Sequence, residues 1–439
     1  MSNQYFLSEV YVNKKLNSFQ SSALYPWVVW SIGAMFFFLM YIARVSPSII
    51  QEPIMSEFKV NASIFGQMAG YLYVSYIIMQ IPVGALVDRF GAHRLIIANT
   101  FVFGCACLLF SFANHVHWIM LSRLIMGLSG SFAFIGAFKL ALIWFPASML
   151  GLLAGLTQCS GMLGAAVGEG PMSYISSSLG WRGYILCLGI GMFILFILGL
   201  IMMRPHPNEK STQVESFKDL VRGIRVVICN PQSWLNGFYA GLIYMPTVAF
   251  GEAWGTPYLI QTKGFTLNEA GFAGTCLFIG WVIGGVLIGR ISDAISLRKP
   301  IMITASLVSA VTFALVLYLS SITPLQCYTV LFIYGLANSG LIASYALSGE
   351  INPPQVSGVS VSFCNLISVL LGALCIPWIG YVLDAFGGVV DARGVSIYPA
   401  DAYNIVFSLF PVGFILSGFV SMFITETHCN NVHVPVRDS

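Results

Sequence analysis

Gly84-Ala-Leu-Val-Asp88-Arg89-Phe90-Gly91-Ala-His-Arg94 is a short charged turn set between two long apolar runs. A bilayer-spanning helix needs about 20 predominantly apolar residues, so each flanking run is long enough to cross a membrane and the turn reads as a loop at its surface. Working outward, apolar runs recur at roughly 24–48, 63–87, 95–113, 117–143, 148–176, 183–203, 232–260, 268–291, 299–320, 325–348, 356–383 and 402–425, which predicts twelve spans. Composition agrees. Of 439 residues, 57% are hydrophobic and 8% charged, with a mean hydropathy of +0.83, whereas an ordinary soluble domain is about a quarter charged. A soluble globule, a disordered chain, a coiled coil and a collagen are excluded by the same figures.

The ten cysteines fall mostly within apolar runs, as Cys105, Cys107, Cys187, Cys276 and Cys375 do. None shows metal-ligand spacing, so they read as small buried hydrophobes and no metal site is expected. The polar first residues lead into an apolar run without a small-residue cleavage site, as a tail before an uncleaved span does. One long polar stretch, 204–231, begins Arg204-Pro-His-Pro-Asn-Glu-Lys210 and divides six helices from six. The expected organisation is a tail (1–23), a six-helix bundle (24–203), a linker (204–231), a second six-helix bundle (232–426) and a tail (427–439): an all-α membrane protein. One side holds Lys14, Lys15, Arg89, Arg94, Arg204, Lys210, Lys218, Arg222, Arg225, Arg290, Arg298, Lys299 and Arg437; the other holds Lys59, Arg182, Lys263 and Arg393. This bias predicts that both termini and the linker are cytoplasmic.

The halves repeat. Gly289-Arg-Ile-Ser-Asp293-Ala-Ile-Ser-Leu-Arg298-Lys299 closes the eighth span as the first turn closes the second, and Pro47 and Pro257 fall near the ends of spans one and seven. An offset near half the chain length implies a duplicated six-helix unit. The first turn resembles the signature loop of the major facilitator superfamily, and Asp293 and Arg298 sit in a degraded copy. The resemblance implies twelve spans in two pseudo-symmetric bundles and alternating access. It also implies a cytoplasmic gate built from Asp88, Arg89 and Arg94, with Gly84 and Gly91 allowing close approach and a tight turn. The second gate lacks the glycine and is expected to be weaker.

An ionisable group at membrane depth is a functional candidate by default. Arg44 lies two-thirds along span one with Tyr41 and Ser48 on the same helix face, and a guanidinium suits a carboxylate or phosphate. Glu252 occupies a similar depth on span seven, near Trp254 and Tyr258. Opposite charges at repeat-related depths suggest a cavity suited to a zwitterion, and Glu252 could instead carry a proton. Trp254 reads either as a ligand neighbour or as part of an interfacial belt. Arg123 opens Arg123-Leu-Ile-Met-Gly127, which matches the superfamily's fourth-helix pattern and implies a coupling role; the alternative is an arginine tied to backbone carbonyls. Lys139 reads equally as a cavity residue or as one snorkelling to the interface. Span five carries Gly155, Gly161, Gly164, Gly168, Glu169, Gly170 and Pro171; small residues at this spacing permit close helix approach, and Glu169 faces either the cavity or the outer rim.

Three segments, Tyr41-Ile-Ala-Arg44-Val-Ser-Pro47-Ser48, Phe134–Pro146 and Gly168-Glu-Gly-Pro171-Met, are similar to the phagosomal nutrient transporters of intracellular bacteria and, more distantly, to the lysosomal dipeptide uniporter. That resemblance implies a bacterial inner-membrane carrier of a small polar nutrient bearing a carboxylate, an amino acid, dipeptide or nucleoside, with proton symport as one option. An organic anion or siderophore carrier is the alternative substrate class, and a transporter-like sensor the alternative of another kind. No Walker loop or nucleophile elbow occurs, so an enzyme is not expected. The expected partners are a small molecule, a proton and the lipid bilayer, without nucleic acid or cofactor, for a monomer.

Overall fold

The computed structural model describes residues 24–80, 82–146, 149–205, 217–390 and 396–432. The first tail, the centre of the linker including Lys210, and the end of the last tail including Arg437 lie outside the described residues.

Ten helices are long and apolar enough to cross a membrane. Spans one to three are Tyr25–Phe58, Ala62–Met79 (continued by Pro82–Phe90) and Ala92–Ser111, and span four is Val116–Gly130 followed by Phe132–Trp144. Leu150–Met202 holds spans five and six in one 53-residue run, broken only at Gly180, whose φ of 71° reverses the chain. Span seven is a composite: Pro231–Pro246, a π-helical segment Thr247–Trp254, and Gly255–Lys263. Spans eight and nine are Leu267–Ile295 and Lys299–Tyr318. Span ten is Pro324–Asn338 with Leu341–Glu350, span eleven is Ser357–Phe386, and span twelve is Ala400–Phe407 with Leu409–Met422. A helix at Phe217–Cys229 leads into span seven, and a two-stranded antiparallel hairpin pairs Val389 with Ile397. The face at which span one begins at Tyr25 is called the near face, and the one at which it ends at Phe58 the far face.

The two halves pack alike. Span one lies on span five, two on four and three on six; span seven lies on eleven, eight on ten and nine on twelve. Glycines set the repeated contact. A methyl at Gly127 would run into the Leu72 carbonyl oxygen, and one at Gly335, 208 residues on, into that of Leu277, 205 residues on. Span four thus seats on two as ten seats on eight, at backbone contact. Gly161, Gly164 and Gly168 likewise admit Phe37, Phe38 and Val45 of span one, whereas Gly155 faces open space.

Spans two and eleven and spans five and eight join the halves. Among the described residues, the hydrogen bonds across this seam lie at mid-depth or toward the far face: the amides of Ala62 and Ser63 donate to Asp384, Ser173 to Asn268, and Thr275 to the Ala166 carbonyl. Toward the near face the seam holds one long contact, Asn365 Nδ2 to Gln80 Oε1 at 3.5 Å. The far face is closed.

Candidate functional site

Arg44 and Glu252, drawn from the two halves, meet directly. Arg44 Nε donates to Glu252 Oε2 at 2.5 Å, and both side chains are fully enclosed. The π-helical turn of span seven carries Glu252 inward, as such wide turns do at functional sites. The Tyr73 hydroxyl donates to the same carboxylate oxygen. Tyr41 accepts from Arg44 Nη1 at 3.3 Å, and the guanidinium lies 4.9, 5.0 and 5.9 Å from the rings of Tyr41, Tyr73 and Tyr76. An aromatic cage favours a desolvated cation. The pairing is side-on, and it leaves Arg44 Nη2 and Glu252 Oε1 buried without partners. Buried polar atoms are normally satisfied, so this cluster holds unused capacity for a carboxylate on one side and a donor on the other. The expected cavity with separate cationic and anionic walls is therefore, in this conformation, one closed ion pair across the seam.

Other expected residues fall elsewhere. Arg123 is fully buried, with Nη1 donating to the Ala43 carbonyl at 2.7 Å and Nη2 to that of Ala69 at 3.2 Å; it ties spans one and two together through backbone carbonyls. Trp254 donates from Nε1 to the Ile376 carbonyl at 3.0 Å and packs edge-on against Phe65. It is buried against spans two and eleven, away from any interfacial belt. Glu169 is 1% exposed and sits in the seam, accepting from the Thr256 hydroxyl at 3.1 Å.

Lys139, offered above as a cavity residue, makes an ion pair with Asp88 at 2.7 Å. It clasps the ends of spans four and two, because one helical turn from the interface its stem reaches the turn's carboxylate. Arg89 and Arg94 are exposed and Arg89 lies over the Phe90 ring, so in this state the clasp is Asp88 with Lys139. Gly91 has φ 87°, which only glycine adopts easily; Gly84 has open space where a side chain would go, so no close approach requires it here. The second-half turn, expected to form the weaker gate, holds two ion pairs. Arg298 pairs with Asp293 at 2.8 Å and with Glu350, at the end of span ten, at 2.7 Å. Burial opposes the charge on Arg298, but the two carboxylates hold its guanidinium protonated more firmly than that of a free arginine. Glu426 adds a cap, accepting from the backbone amides of Arg298 and Lys299 at 2.9 and 2.8 Å.

Sequence reasoning missed Tyr73, Tyr76 and Glu350. The tyrosines share a face at a three-residue spacing but look like ordinary membrane aromatics. Glu350 had a visible signal, an acid beside Asn352-Pro353-Pro354 in a loop on the basic side.

The profile of the Major Facilitator Superfamily matches residues 29–377. Among similar proteins is a probable galactarate/D-glucarate transporter, GudP, of Bacillus subtilis (strain 168), 22% identical over 398 residues, covering 82% of this chain and 87% of that protein. Another is a probable sulfoacetate transporter, SauU, of Cupriavidus necator, 24% identical over 285 residues, covering 62% and 66%. The fold matches the crystal structure of a bacterial homologue of the human lysosomal transporter Spinster in an inward-facing and occupied conformation, with a TM-score of 0.75 at 16% identity over 92% of this chain and 97% of that one. A match over most of the chain, with the paired gates and paired bundles described above, places it: the protein belongs to the Major Facilitator Superfamily and is a multi-pass membrane transporter, not an enzyme.

Proposed function

We propose that the protein carries a small organic acid by alternating access, with Arg44 as the anchor for its carboxylate. The observation that carries this is the half-satisfied guanidinium: a buried arginine in a tyrosine cage, held by Glu252 through Nε alone, with Nη2 free to take an incoming carboxylate. The relatives' names support the class, since galactarate, D-glucarate, sulfoacetate and D-galactonate are all carboxylates. An amino acid or dipeptide has less support, because the acids in these names carry no amine for Glu252 to hold. In this reading the bundles of residues 24–203 and 232–426 rock about the seam. The near face, on the side of the basic loops, is cytoplasmic, and the closed far face is extracytoplasmic. The contacts of Asp88 with Lys139 and of Arg298 with Asp293 and Glu350 hold helix ends within each half as the bundles rock.

Counterflow in proteoliposomes tests the substrate class. Preloaded galactarate, D-glucarate, D-galactonate or sulfoacetate should drive uptake of its labelled counterpart, whereas dipeptides and nucleosides should not. Arg44→Lys should lose most of the affinity while keeping its charge, because an ammonium lacks the planar fork. Selective counterflow with a dipeptide, or full affinity in Arg44→Lys, would overturn the assignment.

A further inference from the structure

The seam holds a second buried carboxylate that the Arg44 site does not use. Glu169 presses against span eight where Gly271 and Gly274 leave room: a methyl at Gly274 would sit 2.8–3.0 Å from its Cγ, Cδ and Oε2. Oε2 accepts from the Thr256 hydroxyl of span seven at 3.1 Å, and Ser48 of span one lies beside Thr256. Ser48 in turn accepts from the Thr256 amide at 3.4 Å. Oε1 is buried and has no partner. Among the described residues no lysine or arginine pairs with Glu169. The titratable groups that face it are Glu252 on span seven and Tyr184 on span six; span eight offers Gly271, Gly274 and Thr275, and span one Ser48. A carboxylate so placed, facing another acid and no cation, is costly to keep ionised.

Beside this cluster lies a half-open cavity of about 190 Å³ toward the far face. Ser48 lines it, with Gln51, Glu52, Ser176, Gln261 and Pro257, the residue after Thr256. Gln51 is 3% exposed and its Nε2 has no partner. A polar vestibule therefore reaches Ser48, which touches Thr256, whose hydroxyl in turn holds the Glu169 carboxyl.

We propose that Glu169, with Ser48 and Thr256, is the proton-loading site of the transporter, filled from the far-face vestibule, and that its protonation closes that face. With the carboxyl neutral, spans five and eight pack against it dry, as observed. When the proton leaves toward the near face, the ionised group demands water, and span eight cannot stay in contact with it. Closure and protonation are thus linked: each favours the other to the same degree. Acid favours the state seen here, and alkali favours opening of the far face. This rests on the transport reading above but not on the identity of the substrate.

Two measurements test it. In proteoliposomes supplied with D-glucarate, an imposed pH gradient should drive accumulation by the wild type, and the ratio of gradient-driven accumulation to counterflow should fall at least tenfold in Glu169→Gln and recover in part in Glu169→Asp. A wild-type ratio in Glu169→Gln, accumulation that follows a sodium gradient, or no gradient response in the wild type would overturn the proposal. The second measurement needs no substrate and keeps Glu169. A cysteine at Gln51 should react with a membrane-impermeant maleimide at least fivefold faster, after correction for thiolate fraction, at pH 8.5 than at pH 6, and equal corrected rates would overturn it. Absence of D-glucarate counterflow in the wild type would count against the substrate class alone, and the labelling would still decide this question.

Discussion

Replacing Glu252 by glutamine should tighten substrate binding, although it removes a charge from the binding site. In the empty state the carboxylate of Glu252 occupies the Nε side of Arg44 at 2.5 Å with both side chains enclosed, so an incoming carboxylate must compete with it for one guanidinium. A hydrogen bond between charged groups contributes about 1.5–3 kcal/mol, and one with a neutral partner about 0.5–1.5. Glutamine can keep the contact in neutral form, so the competitor is weakened by about 1.4 kcal/mol, roughly a tenfold decrease in Kd. Turnover should fall by a similar factor, because the returning ion pair no longer helps to expel the ligand. Equilibrium binding of labelled D-glucarate in detergent, paired with counterflow rates, reads both quantities. Should Glu252→Gln bind the acid as well as or less well than the wild type, Glu252 is a ligand contact and not a competitor, and the displacement argument is wrong.

The first-half gate predicts a smaller effect. Asp88 and Lys139 are 38% and 23% exposed, so water screens their pair to no more than about 1 kcal/mol; Asp88→Asn should leave Kd unchanged, alter turnover only two- to fivefold, and be repaired by the swap Asp88→Lys with Lys139→Asp, as stopped-flow exchange can measure. Gly335→Val should abolish folded yield in fluorescence-detected size exclusion, since the Leu277 backbone cannot yield, while Gly84→Ala, which meets open space, should be neutral or stabilising by up to about 1 kcal/mol. Glu426 is held below the usual carboxylate range: partial burial acts the other way, but the amides of Arg298 and Lys299 outweigh it. A group with a depressed pKa stabilises the fold above its ordinary value and loses that contribution as pH falls through the depressed one. Protection from hydrogen exchange at the start of span nine, corrected for the intrinsic pH dependence of exchange, should therefore fall as acid protonates Glu426 in the wild type, and Glu426→Gln should show low protection at neutral pH and no such acid dependence.

The twelve spans and the duplication could be read from the chain because the bilayer imposes a length of about 20 apolar residues and the repeat preserved its charged turns. Arg44 and Glu252 were equally legible, as ions where lipid allows few. Their meeting was not, since it depends on the π-helical segment at Thr247–Trp254, and Thr-Val-Ala-Phe-Gly-Glu-Ala-Trp has nothing to distinguish it from an α-helix. The partners of Lys139 and Trp254 were not legible for a related reason. A long side chain near a helix end has several reachable partners, and only packing selects Asp88 for one and the Ile376 carbonyl for the other.

That wide turn also fixes the phase of everything that follows it. The first span runs as unbroken α-helix from Tyr25 to Phe58, while its repeat-related partner gives up regular hydrogen bonding for two turns. A π turn hydrogen-bonds from i to i+5 and so takes up one residue more than an α turn, which presents Glu252 at a different angle from a regular continuation of Pro231–Pro246. Substitutions that let Thr247–Trp254 close up as α without changing its length would swing Glu252 around the span relative to the segment preceding it. The opposite charges of the two bundles would then no longer face each other, and a change of helix type alone would convert a lock between halves into two separately solvated ions.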